Sequence, residues 1–230
     1  MTKVFCDIAD LSLIKKFNSK KIVKGFTTNP SLMRKAGAKN YSKYCKEILK
    51  ITKKPISFEV FADDDVNIIR QANKIKSWSN QIFVKVPVTN SKGIFLGKVI
   101  NHLNNKNIKL NITAVYTAKQ TLQILKKINK KTKVIISIFA GRMADTGKDP
   151  VPEIENSLKI AKKYKNVEIL WASVREPYNY LQAKKLKCHI ITVPPAIIEK
   201  IEKFGKSFKM LTIDTVRGFL EDSKKSKFKI

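Results

Sequence analysis

Eight short runs of β-branched and aliphatic residues punctuate the 230-residue chain, and longer amphipathic, lysine-rich runs separate them. The apolar runs fall at 3–7, 22–27, 56–61, 82–86, 109–114, 133–139, 167–172 and 188–193, each the length of a strand rather than a helix. Helical spacing fills 41–52, 66–78, 117–129, 152–164 and 195–204, and several of these segments open on a capping Asp, Ser or Thr. That alternation predicts an α/β fold, a single-domain (β/α)8 TIM barrel. A doubly wound sheet is the main competitor. It calls for a Gly-rich turn after the first strand, and Cys6-Asp7-Ile8-Ala9-Asp10 stands there instead.

A chain of this length with 43% hydrophobic residues can bury one sizeable core, so one domain is expected. Residues 1–206 supply the barrel. The tail, 207–230, is surplus to it, carries a further helix pattern near 213–222, and is expected to dock on a neighbouring subunit. No run approaches the roughly 20 apolar residues of a membrane span, and the first residues lead into a strand without a signal-peptide core. A soluble, cytoplasmic protein is expected. Cys6, Cys45 and Cys188 show no Cys-x-x-Cys spacing, so they suggest neither a disulfide framework nor a metal site and are expected in the core.

Lysine and arginine outnumber aspartate and glutamate 47 to 18, a formal net charge of +29. The lysines are spread through nearly every helix pattern, no module of a nucleic-acid reader is present, and the aromatics follow core periodicity. Specific nucleic-acid binding is therefore not expected. The positive field favours anionic substrates instead.

Lys85 lies inside Ile82-Phe83-Val84-Lys85-Val86-Pro87-Val88, where an unpaired ammonium costs several kcal/mol. A lysine desolvated in a strand loses basicity and can attack a carbonyl to form a Schiff base. Snorkelling from an edge strand is the plain alternative. Strand parity weighs against it, because successive side chains face opposite sides and only one side looks into a barrel. Ser57 with Glu59, Phe83 with Lys85, Asn111 with Thr113, Ser137 with Phe139, and Ser173 with Arg175 keep to one parity at the ends of their strands. Barrel enzymes build their sites at that end.

The ordered set of motifs resembles the short-type transaldolases, which are related to the fructose-6-phosphate aldolases. It comprises Asp7 at the end of the first strand, Gly25-Phe26-Thr27-Thr28-Asn29-Pro30-Ser31-Leu32, Phe83-Val84-Lys85-Val86-Pro87, Asn111-Ile112-Thr113-Ala114-Val115, Ser137-Ile138-Phe139-Ala140-Gly141-Arg142 and Ala172-Ser173-Val174-Arg175. By resemblance, Lys85 is the Schiff-base lysine, Asp7 the acid/base for carbon–carbon cleavage, and Glu59 with Thr113 the pair that holds a catalytic water. Asn29, Thr27, Ser137 and Phe139 fall among the substrate-binding positions, and Arg142, Ser173 and Arg175 match the phosphate-binding set. The resemblance implies transfer of a dihydroxyacetone unit between sugar phosphates in the pentose phosphate pathway, no cofactor, and a homo-oligomer, a decamer.

Only five arginines stand against 42 lysines, and planar guanidinium forks suit a phosphate. An ion pair of either arginine with Asp145 or Glu176 is the competing structural use. The related aldolases carry Gln where this chain has Glu59 and Tyr where it has Phe139, so both positions favour transfer over simple aldol cleavage. His189 is expected to be a satisfied core or rim residue, and His102 a surface one.

Overall fold

Every strand runs parallel to the one that follows it, and the last closes on the first. The computed structural model describes residues 1–227 and 229. In chain order, β1 (Lys3–Asp7), α1 (Leu11–Asn18), β2 (Val23–Thr27), α2 (Pro30–Lys35), α3 (Tyr41–Ile51), β3 (Ile56–Glu59), α4 (Asp65–Lys76), β4 (Ile82–Pro87), α5 (Gly97–Asn105) and β5 (Leu110–Val115) make the first part. There follow α6 (Ala118–Leu125), β6 (Val134–Ile138), α7 (Ala140–Ala144), α8 (Val151–Ala161), β7 (Val167–Trp171), α9 (Tyr178–Lys185), β8 (Ile190–Val193), α10 (Pro195–Ile201) and α11 (Phe208–Ser226). This is the eight-stranded α/β barrel expected from the sequence, with strand ends within a residue or two of the apolar runs.

Local chemistry sets the helix starts. The side chains of Asp10, Asn40, Asp64 and Thr117 accept backbone N–H groups of the first turns of α1, α3, α4 and α6. Thr117 and Gln120 form a reciprocal capping box. Each such cap is worth about 0.5–2 kcal/mol. Helix ends were harder to read. The periodic pattern over 117–129 outruns α6, which ends at Leu125; farther on, Asn129 Oδ1 accepts the N–H groups of Lys131 and Thr132 and turns the chain toward β6.

Two apolar layers hold the barrel. The larger lies between sheet and helices and includes Phe17, Phe26, Phe58 and Trp171. The smaller fills the barrel interior with Phe5, Phe83, Ile135, Leu170, Ala172 and Ile190. Gly25 faces Phe5 across the β1–β2 pair, and a Cβ there would lie 2.6 Å from the Phe5 ring, so this glycine makes room for the plug. The plug separates the two mouths of the barrel.

The parity reading fails at β7. Ala172, not Ser173, continues the inward face, packing in the same cluster as Leu170 and Phe83. The strand has ended at Trp171, and Ser173 adopts a left-handed backbone with φ 63° that turns the chain across the mouth. Arg175 therefore sits on a loop, and Arg142 on α7, rather than at the ends of inward strands.

α11 is longer than the pattern near 213–222, with Ser207 as its N-cap. None of its residues is buried, and Phe208, Val216 and Phe219 are well exposed. Positions 228 and 230 of the tail 207–230 lie outside the described residues. Among the described residues, no helix is long and apolar enough to cross a membrane.

Candidate active site

Lys85 is only 7% exposed, and its amine lies at the C-terminal mouth of the barrel. Its Nζ is 3.0 Å from Glu59 Oε2 and donates to the Thr28 carbonyl at 3.1 Å. The pairing follows from register, since Glu59 and Lys85 are direct neighbours across β3 and β4. Tyr41 fixes the end of β3. Its hydroxyl donates to the Glu59 carbonyl at 2.9 Å and accepts the Glu59 N–H at 3.0 Å, and burial pushes the phenol up, which keeps it a donor.

Asp7 stands on the other side of the mouth. Thr27 Oγ1 donates to Asp7 Oδ1 at 2.7 Å and lies 2.5 Å from Thr192 Oγ1. Burial raises the Asp7 carboxyl above its ordinary value, against the opposing pull of the Lys85 ammonium and the Thr27 hydroxyl. Neighbouring Cys6 is buried in the wall, and burial with the Asp7 charge pushes its thiol up to about 12, far from a reactive thiolate.

Below the amine runs a hydrogen-bonded layer. Ser137 Oγ donates to Asn111 Oδ1 at 2.7 Å, and Asn111 Nδ2 donates to Ser57 Oγ at 2.9 Å. Three strands thereby hold one another's inward polar groups, and the layer stays rigid. Thr113 is different: among the described residues its buried hydroxyl has no hydrogen-bond partner. β5 shifts register between Ile112 and Val115, and Ala114 takes φ 57°, a conformation that costs a non-glycine residue about 1–2 kcal/mol. This strained bulge sits beside the unpartnered hydroxyl.

The outer rim is cationic. Arg142 stacks 5.7 Å over the Phe139 ring, which also packs edge-on to Tyr116. Arg175 Nε contacts both Asp145 oxygens at 3.0 and 3.1 Å, and its Nη2 completes the fork. That bond holds the Asp145 carboxyl below its usual range. Gly141 brings α7 against the turn at 173, where a Cβ would overlap the Ser173 carbonyl oxygen. Asn29 serves α2 as N-cap while lining the same mouth.

Two adjoining cavities share Lys85, Asn29, Phe139, Arg142 and Arg175. One, of about 220 Å³, adds Asp7, Thr27, Ser137 and Ser173. The other, of about 530 Å³, adds Glu59 and Thr113. All eleven residues singled out from the sequence thus line one mouth, with Lys85 in both cavities, Asp7 in one and Glu59 in the other. Sequence reasoning missed Thr192 and Tyr41. Thr192 sat in plain view on inward parity in β8, whereas Tyr41 reaches the site from a helix start and carries no sequence signal. His189 lies at the opposite rim, where Nδ1 accepts the Ile169 N–H at 3.0 Å. Among the described residues, no group of three or more His, Cys, Asp or Glu could hold a metal ion.

Fold and site together define a (β/α)8 barrel of amine–carboxylate type, with a buried lysine at the mouth where such barrels bind substrate. The family model described as Transaldolase/Fructose-6-phosphate aldolase matches residues 4–230, and the chain belongs to that family. A probable transaldolase of Thermoanaerobacter sp. (strain X514) is 35% identical over 229 residues, covering 99% of this chain and 100% of that one. One from Nitrosopumilus maritimus (strain SCM1) is 34% identical, with 98% and 96% covered. One from Thermoplasma volcanium is also 34% identical, with 97% and 96% covered. Among solved structures, a mandelate oxidase mutant with an FMN adduct superposes with a TM-score of 0.60 over 85% of this chain and 65% of that chain. At 10% identity that likeness is one of fold alone.

Proposed function

We propose that the protein is a transaldolase. It moves a dihydroxyacetone unit from sedoheptulose 7-phosphate to glyceraldehyde 3-phosphate, giving erythrose 4-phosphate and fructose 6-phosphate, and the reverse, as the pentose phosphate pathway requires. The observation that carries this reading is the 3.0 Å contact between the Lys85 amine and Glu59 in a mouth that also holds Asp7.

Glu59 takes a proton from the Lys85 ammonium, the neutral amine attacks the C2 ketone, and the resulting alkoxide recovers that proton to give a carbinolamine hydroxyl. The proton then lost from the nitrogen passes by Glu59 and a water held by the Thr113 hydroxyl to this hydroxyl, which leaves as water, and an iminium remains. The iminium is the electron sink. Asp7 takes the proton of the C4 hydroxyl, the C3–C4 bond breaks, an aldose phosphate departs and a three-carbon enamine stays on Lys85. A carboxyl whose hold on its proton is strengthened by burial is suited to take and return this proton. The enamine carbon attacks the incoming aldehyde, Asp7 gives its proton to the new alkoxide, and hydrolysis of the iminium frees the product. Arg142 and Arg175, with Ser173, hold the phosphate at the rim, and Asn29, Thr27 and Ser137 orient the hydroxyls.

Transfer, rather than simple cleavage, requires that no proton reach the enamine before an acceptor arrives. The Phe139 ring supplies none. Fructose 6-phosphate is expected to be consumed efficiently only with erythrose 4-phosphate present, and Phe139→Tyr to raise acceptor-independent cleavage while lowering transfer. Coupled assay of glyceraldehyde 3-phosphate and direct assay of dihydroxyacetone read both rates. Equal release of dihydroxyacetone without acceptor in the wild type would make the chain a fructose-6-phosphate aldolase.

The exposed apolar side chains of α11 support a homo-oligomer, of decameric size by the family resemblance, with α11 seated on a second copy. Light scattering should report a large assembly that dissociates when the chain is cut after residue 206. A stable monomer of the full chain at micromolar concentration would contradict it.

A further inference from the structure

The inward columns of side chains that end in the active site begin, at the opposite mouth, in lysines. Lys109 leads the column of Asn111 and Thr113, Lys133 that of Ile135 and Ser137, and Lys3 that of Phe5 and Asp7. With Lys24 and Lys53 they line a cavity of about 460 Å³ at the N-terminal mouth. Its floor is the underside of the plug, formed by Phe5, Phe83 and Ile135.

Five lysines line that cavity together with one carboxylate, Glu168. Glu168 pairs with Lys3 at 2.7 Å, and among the described residues Lys24, Lys53, Lys109 and Lys133 make no salt bridge. Lys109 lies 5.2 Å over the Phe83 ring with its amine bonded to the Asn80 carbonyl, so it is held over the cavity rather than waving in solvent. Burial, and then the nearby Lys133 charge, lowers the Lys109 amine from its ordinary value. Lysines scattered over helix faces avoid one another. Lys3, Lys109 and Lys133 are brought together because the barrel closes their strands into a ring.

We propose that this lower mouth is a second ligand site, which binds a compact polyanion carrying a chain of phosphate groups. A single phosphate can engage only part of the ring, whereas a short phosphate chain reaches several amines at once. The volume is in the range of small-molecule sites, and its concave shape with an apolar floor suits a small ligand better than an extended nucleic acid. The plug keeps such a ligand about 13 Å along the strands from the catalytic groups, so the site is separate from substrate binding. It does not depend on the proposed reaction.

The test uses the full chain carrying Arg142→Ala and Arg175→Ala, which removes the forks of the upper mouth, titrated calorimetrically at about 0.15 M salt to screen diffuse attraction. Inorganic tripolyphosphate should bind at least tenfold more tightly than orthophosphate. Adding Lys109→Gln and Lys133→Gln should weaken tripolyphosphate by about ten- to a hundred-fold. Adenosine triphosphate separates the sources of the ligand. Affinity equal to tripolyphosphate means the phosphate chain alone is read, and tighter binding means the floor takes the nucleoside; both support the site. Tripolyphosphate binding that does not change with the two glutamines, or that is no tighter than orthophosphate, overturns it. Single-stranded RNA that binds more tightly than tripolyphosphate through the same two lysines also overturns it, in favour of a polymer-binding face.

Discussion

The two mouths of the barrel are built from the same inward columns and carry opposite chemistry. At the C-terminal mouth Lys85 meets Glu59, Asp7 is held by Thr27, Arg175 is held by Asp145, and Arg142 stacks on Phe139. At the N-terminal mouth five lysines and one glutamate line the cavity, and the glutamate pairs with Lys3. An amine that must be kept neutral or charged on demand needs a carboxylate within reach and a dry pocket. Amines that only attract an anion need neither. The difference teaches that burial and pairing, rather than residue type, set Lys85 apart from the other cationic side chains in a chain with 42 lysines.

The sharpest way to break that contrast is to neutralise Asp7. Asp7→Asn should lower the transfer rate by about 10²- to 10⁴-fold, the usual worth of a positioned acid/base. Its effect on stability has a definite sign. Burial raises the folded carboxyl, so its contribution is full below the unfolded value of about 3.9 and is lost as pH rises through the folded value. Asp7→Asn should therefore melt higher than wild type at pH 7, by about 2–4 °C for each kcal/mol relieved, with the gap closing below about pH 4. A melting curve of the variant that lies below wild type at pH 7 would contradict a strained carboxylate.

Next in size is the cationic rim. Arg142→Ala and Arg175→Ala should each raise KM for phosphorylated sugars by about ten- to a hundred-fold, from the loss of a charge-assisted contact worth about 1.5–3 kcal/mol. Unphosphorylated ketoses should be nearly unaffected, and equal losses on both would indicate a structural role. The smallest effect separates the two uses of Arg175. Asp145 now occupies its fork, so substrate phosphate must displace a carboxylate. Asp145→Asn should lower KM for phosphorylated substrates a few-fold and leave unphosphorylated ones unchanged. A rise in KM would mean that Asp145 orients the arginine for phosphate instead of competing with it.

Most of this arrangement could be read from the chain. Alternating apolar and amphipathic runs gave the barrel, and parity within strands brought Glu59, Lys85, Thr113 and Ser137 to one face, because a strand's two sides are fixed by a period of two. Parity stopped working where the backbone leaves the strand. Ser173 reaches the mouth through a left-handed turn that Gly141 packs against, and nothing in Ala172-Ser173-Val174-Arg175 marks that turn. Tyr41 was illegible for a different reason, since its grip on Glu59 depends on where α3 lands against β3. The β5 bulge beside Thr113 is likewise a property of pairing with β6 rather than of either strand alone. Thr192 obeyed the parity rule and simply looked too ordinary among Ile190, Ile191 and Val193.

The central claim is that one lysine of 42 forms the covalent intermediate, and borohydride trapping tests it most directly. Protein incubated with fructose 6-phosphate and reduced with borohydride should carry a three-carbon adduct on the peptide containing Lys85, found by mass spectrometry. Lys85→Met should fold, carry no adduct and lose at least about 10³-fold in activity. An adduct on another lysine, or one that persists in Lys85→Met, would contradict the account.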